Sequence, residues 1–200
     1  DTVGCIGGGE DKGNPDIKPW MSTVYNASAE WYFAENSILG LGMFLIQVDT
    51  AVEDYQEARP FLDMDGIDRG RQANISTTRN VGASDLYGIE LGYKQPFTFL
   101  PGEYLSATGI EFNYTYSHSE TNEVDIMGNK LPLPSNSENQ TNLILWYDKD
   151  GLNVRLAYNY RSAEFSKRTG VTTNVAVMQM ANWVEPVGYL DLSISYWLND

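Results

Sequence analysis

Ile110, Phe112, Tyr114 and Tyr116 fall at every second position of the stretch GIEFNYTYSH (109–118), with Glu111, Asn113, Thr115 and Ser117 between them. A strand points successive side chains to opposite faces, so this pattern predicts a strand with one apolar, aromatic face and one polar face. Three further stretches share the plan. Tyr87, Ile89, Leu91 and Tyr93 alternate with Gly88, Glu90, Gly92 and Lys94; Leu152, Val154, Leu156, Tyr158 and Tyr160 alternate with Asn153, Arg155, Ala157, Asn159 and Arg161. Leu190, Leu192, Ile194 and Tyr196 alternate with Asp191, Ser193 and Ser195. Read at period two, the chain gives about seven extended segments, near 21–34, 38–50, 81–98, 104–119, 139–148, 151–162 and 188–198. Helical periodicity is nearly absent. The second segment, LGLGMFLIQV, carries apolar residues on both parities, and its faces stay unassigned.

The connections alternate in length. AENS (34–37), LPGE (100–103) and DKDG (148–151) are tight, whereas 51–80, 120–138 and 163–187 are long. Pro101-Gly102 has the chemistry of a type II turn, and Asp150-Gly151 that of a hairpin turn. Short connections at one end and long ones at the other are the layout of an outer-membrane barrel. Strand length agrees, since alternation from Tyr104 to Ser117 exceeds the five or six residues common in soluble strands and matches the roughly 9–11 that a tilted strand needs to cross a bilayer. Aromatic residues gather beside the tight turns: Trp31, Tyr32 and Phe33, then Phe97 and Phe99, then Trp146 and Tyr147. They are expected to form an interfacial girdle. The prediction is an all-β, antiparallel up-and-down transmembrane β-barrel wall. The alternative is a soluble β-sandwich whose core is edged by aromatics.

Composition narrows the functional classes. Thirteen Tyr, 5 Trp, 7 Phe and 18 Gly in 200 residues favour β structure with many turns. No stretch approaches the roughly 18 apolar residues of a membrane helix, which leaves a barrel open. A net charge of −14 argues against a nucleic-acid partner, because phosphate neutralisation needs clustered Lys and Arg. One cysteine, Cys5, and one histidine, His118, provide neither an internal disulfide nor a Cys/His metal centre. The chain starts DTVGCIGGGEDKGNP, without an initiator Met or a leader, as expected of a mature protein or an excised piece.

Candidate chemistry is sparse. The stretch Asp49–Asp68 holds Asp49, Glu53, Asp54, Glu57, Asp63, Asp65 and Asp68 against Arg59, and is expected to be a solvated acidic loop. Within it, DMDGID spaces Asp63, Asp65 and Asp68 around a glycine in a way that could wrap a calcium ion with oxygen ligands, though the rest of an EF-hand loop is missing. Glu90, Glu111, Asn113, Asn153, Arg155, Asn159 and Arg161 fall on polar faces and are candidates for wall networks or ligand contacts, with Glu111 and Arg155 in one network. His118 is expected at the surface. No Gly-x-Ser-x-Gly elbow accompanies it, so catalysis finds no support and no cofactor is expected apart from the calcium hypothesis.

Several stretches resemble TonB-dependent outer-membrane receptors. GNPDIKPWMSTVYNASAEWYF (13–33) resembles the loop and descending strand that follow a Gly-Asn-Pro motif in that family. YGIELGYKQPFTFLPG followed by GIEFNYTYSHSE is similar to its Gly-hydrophobic-Glu strand, Leu-Pro-Gly turn and ascending strand. LWYDKDGLNVRLAYNYRS (145–162) and YLDLSISYWLND (189–200) resemble later strands, in family order. The resemblance implies a 22-stranded outer-membrane barrel filled by a plug, importing a siderophore, vitamin B12 or an oligosaccharide with energy from the TonB complex acting on the plug. On that reading these residues are about seven strands of a larger, incomplete barrel, lacking plug, TonB box and final strands, and contacting outer-membrane lipid. The resemblance also implies that Cys5 could pair with an upstream loop cysteine; a free thiol is the alternative. A passive porin-like channel and a soluble ligand-binding sandwich remain the other functional readings.

Overall fold

A computed structural model describes residues 6–81, 84–172 and 177–198. The described residues form eleven strands and no helix: β1 (Ile6–Lys12), β2 (Met21–Ala34), β3 (Ser37–Leu62), β4 (Asp68–Val81), β5 (Ser84–Pro96), β6 (Thr108–Glu120), β7 (Asn139–Lys149), β8 (Leu152–Arg161), β9 (Glu164–Thr172), β10 (Val177–Val184) and β11 (Val187–Tyr196). Seven of them, β2, β3, β5, β6, β7, β8 and β11, run side by side as one antiparallel wall. β2 and β11 do not pair with each other, so the wall is not closed. It is a single layer, which removes the sandwich reading, since a sandwich buries each inner face against a second sheet.

Register settles which residues share a face. Trp31, Leu39, Tyr93, Phe112, Leu143, Tyr158 and Leu190 lie directly opposite one another across all seven strands. This apolar row has nothing packed over it, with Leu190 67% and Trp31 65% exposed. One residue along the same strands, Glu30, Gly40, Gly92, Asn113, Asn142, Asn159 and Tyr189 form the matching row of the other face. The alternation read from sequence is therefore coherent over the whole wall, because a slip of one residue would move every side chain to the wrong face.

The turns use the expected chemistry with one change of length. Between β2 and β3 only Glu35 and Asn36 intervene, and Asn36 takes φ 54°; between β7 and β8, Asp150 and Gly151 have φ 51° and 79°. In the β7–β8 turn, positive φ at both central residues matches the twist of the flanking strands. The Pro101-Gly102 connection is longer than four residues, because the chain folds into successive turns from Phe97 to Ala107 before β6 begins; Gly102 does take φ 88°. Phe33 stacks on Tyr93 at 6.0 Å and Trp31 lies 5.5 Å from Phe33, an aromatic cluster at this end of the wall. Trp146 departs from the expected girdle. It opposes Gly109 on the polar face, and a Cβ at Gly109 would overlap its indole.

Two stretches expected as long loops are strands. β3 continues past the wall to Leu62 and turns back as β4, which a parallel β1 then flanks. Glu164–Thr172 and Val177–Val184 pair antiparallel as the β9–β10 hairpin, a two-stranded sheet of its own, so that β8 pairs directly with β11. These extensions have weaker alternation than the wall because both faces contact protein or water rather than two sharply different media.

Candidate functional site: the polar face and the long-loop end

The segment between β6 and β7, residues 121–138, is a strap: its 131–137 stretch lies against the polar face, while Ile126 and Met127 at its turn stay exposed. Leu133 packs with Val48 in a small core, joined by Ile46 and Leu86. These residues share a face with Phe44, Gly42 and Gly40 on β3 and with Glu90 on β5. The two apolar parities of the second segment thereby receive a cause: Leu39, Leu41, Met43 and Leu45 form the apolar outer face, while Phe44, Ile46 and Val48 face the other way, toward the region the strap covers. Hydrogen bonds fix the strap. Asn136 donates from Nδ2 to the Ser117 carbonyl at 3.2 Å and to Ser119 Oγ at 3.1 Å, and the Ser117 hydroxyl donates to Asn136 Oδ1 at 2.7 Å. The Leu133 N–H donates to Ser119 Oγ at 3.0 Å. Buried Ser117 and Ser119 are thus partnered, as buried hydroxyls must be.

Above the strap the long-loop elements meet in an ion cluster. Arg79 on β4 lies 2.9 Å from Glu53 on β3 and 3.1 Å from Glu123 on the strap. Arg168 on β9 contacts the same two carboxylates, reaching Glu123 at 2.7 Å and Glu53 in a close hydrogen bond. The Arg79 guanidinium also sits 4.0 Å from the centre of the Tyr55 ring. Arg168 has only 7% of its side chain exposed. Burial opposes its charge, but the hydrogen bond and field of Glu53, then those of Glu123, outweigh it and hold its proton more tightly than usual. Glu53, expected in a solvated loop, is instead a shared acceptor. Sequence pattern missed this cluster, because its members lie up to 115 residues apart.

The sequence-derived candidates fall in separate places. Asp63 caps the β3–β4 turn: its Oδ1 accepts from the N–H groups of Asp65 at 3.0 Å and Ile67 at 2.9 Å, and its Oδ2 accepts from Arg69 Nε at 2.5 Å. The hydrogen bond from Arg69, aided by those backbone donors, holds its carboxyl below the ordinary range. Asp68 accepts instead from the Gly70 N–H at 2.8 Å. Among the described residues no group of three or more His, Cys, Asp or Glu side chains is placed to hold a metal ion. Glu111 and Arg155 line one cleft of about 410 Å³ on the polar face with Lys94 and Trp146. Asn113, Asn159 and Arg161 line another, of about 540 Å³, with Gln140 and Tyr189; Glu90 borders a third with Glu30 and the bare backbone of Gly40 and Gly92. Asn153 joins the first cleft. His118 sits at the outer rim against Tyr87, with Nδ1 3.0 Å from Glu138. Cys5 lies outside the described residues.

A one-layer wall of long strands, apolar on one side and polar on the other, with tight turns at one end and elaborated hairpins at the other, defines the wall of a transmembrane β-barrel of the outer-membrane class. The chain belongs to the family described as TonB dependent receptor-like, beta-barrel, whose model it matches over residues 3–199. It is 24% identical over 196 residues to the iron-regulated outer membrane virulence protein of Vibrio cholerae, covering 97% of this chain and 27% of that protein. Among solved structures, the siderophore receptor PirA from Acinetobacter baumannii is similar with a TM-score of 0.62 and 16% identity, over 95% of this chain and 27% of PirA. The ferric enterobactin receptor PfeA from Pseudomonas aeruginosa, a mutant in complex with enterobactin, gives 0.60 and 18%, over 94% of this chain and 25% of the receptor. The ferric-catecholate import receptor Fiu from E. coli gives 0.58 and 17%, over 93% and 22%. At such identities these structures support the fold. The chain is thus a piece of an outer-membrane receptor barrel by family, and it spans about a quarter of the length of these relatives.

Proposed function

We propose that the chain forms part of the wall of a receptor that carries a ferric siderophore across the outer membrane with energy delivered by TonB through a plug. The observation that carries this reading is the arrangement on the polar face. Glu30, Asn113, Asn142, Asn159 and Tyr189 leave a wettable mid-wall, while the strap and two hairpins gather at the long-loop end, where ligand would enter. The apolar face meets outer-membrane lipid, since seven strands of unpacked aromatic and aliphatic residues have no other stable solvent. The family and the iron-linked names of several relatives favour an iron chelate over vitamin B12 or an oligosaccharide.

Uptake of radioactive iron supplied as a ferric siderophore tests the reading. The whole protein is expressed in a Gram-negative strain lacking its own receptors, with TonB present or deleted. Accumulation that requires both the protein and TonB is the expected result. Accumulation independent of TonB would turn the reading to a passive porin-like channel, and none with any siderophore would return the cargo to another nutrient.

A further inference from the structure

We propose that Glu53, Arg79, Glu123 and Arg168 form a clasp that holds the β9–β10 hairpin down over the strap and the β3–β4 hairpin, so that releasing Arg168 releases the hairpin. The observations are topological and electrostatic. β9 and β10 share no ladder with the wall, and the hairpin's packing against other strands runs chiefly to β3. Two residues on each side, 162–163 and 185–186, join it to β8 and β11. Its base is tied to the strap, where the Ser135 N–H donates to the Phe165 carbonyl at 2.8 Å and the Ser137 hydroxyl donates to Glu164 at 2.8 Å. Past that base, among the described residues, the ionic tie is Arg168.

Each carboxylate in the cluster accepts from both guanidinium groups, and each guanidinium spans two chain segments. A two-by-two arrangement of this kind is stable when complete and poor when broken. Removing one arginine leaves two half-buried carboxylates sharing a single cation, and an uncompensated buried charge is costly enough to drive rearrangement toward water. Because Glu53, Glu123 and Arg168 come from the β3 extension, the strap and the hairpin respectively, the cluster makes three long-loop elements move together. Arg168 is a positioning residue in this scheme, acting through its carboxylates rather than on any ligand.

The test uses the full-length receptor in outer-membrane vesicles, cysteine-free apart from two spin labels introduced as Met180→Cys on β10 and Gln72→Cys on β4. Folding of every variant is checked by heat-modifiable gel mobility. The unaltered clasp is expected to give one narrow distance distribution. Arg168→Met and the double change Glu53→Gln with Glu123→Gln are each expected to shift most of the population to longer, broader distances, with Arg168→Lys in between. A control, Thr169→Ala, next to Arg168 but outside the cluster, is expected to leave the distance unchanged. Folded Arg168→Met with the original narrow distribution would overturn the clasp, and so would equal opening in Thr169→Ala, which would make the hairpin loose irrespective of its charges.

Discussion

Leu133 of the strap packs against Val48 on the polar face of β3, with 7% and 3% of these residues exposed, although 85 positions separate them in the chain (133 − 48). This contact is the apolar half of what keeps the strap down, the Ser117–Ser119–Asn136 hydrogen bonds being the polar half. Leu133→Ala is expected to cost about 2–5 kcal/mol locally, the range for a buried leucine truncation. Hydrogen exchange should show faster exchange at residues 121–138 with the ladders of β5 to β8 unchanged.

Phe112 and Asn113 are chain neighbours that face opposite media. In the complete receptor, Phe112→Arg is expected to destabilise the barrel by about 2–4 kcal/mol if it lies near the bilayer midplane, whereas Asn113→Arg, on the wettable face, should cost far less. Denaturant unfolding from vesicles compares the two. Equal stability of the variants would contradict the facing assigned by register.

Gly109 and Trp146 form a cross-strand pair in which the indole covers the bare backbone. Gly109→Ala forces the ring aside, and overpacking of this kind typically costs about 1–3 kcal/mol. A changed emission maximum for Trp146, read in a variant with the other tryptophans replaced, reports the displacement.

At the β3–β4 tip, Asp63 has a depressed folded-state pKa, caused first by the bond from Arg69. A lowered carboxyl stabilises the turn above its unfolded pKa and loses that contribution as pH falls through the lowered value. An NMR titration of the carboxyl should therefore show a midpoint below that of an ordinary aspartate, restored toward normal in Arg69→Met. The calcium hypothesis for Asp63, Asp65 and Asp68 is read in the same sample: a calcium-induced rise in melting temperature that Asp63→Ala with Asp65→Ala abolishes supports it, and an unchanged melting temperature rejects it.

Period-two alternation, turn chemistry and strand length determined the seven-strand wall, its two faces and the end that carries tight turns. These features are local, and each is enforced by the contrast between two solvents acting on successive residues. Where that contrast vanishes, the sequence fell silent. β4, β9, β10 and the outer half of β3 contact protein and water, so 51–80 and 163–187 read as loops. Trp146 looked like a girdle residue because its neighbours are aromatic, and only register against Gly109 placed it inside. The doubled apolar parity of residues 39–48 could not be resolved without the strap that covers one of its faces. The ion cluster was beyond any pattern, for Glu53, Arg79, Glu123 and Arg168 come together only after three separate segments have folded over one another. Strand faces follow from chain geometry over a few residues, whereas charge pairing across loops is decided by which distant segments share space, and that is a property of tertiary structure alone.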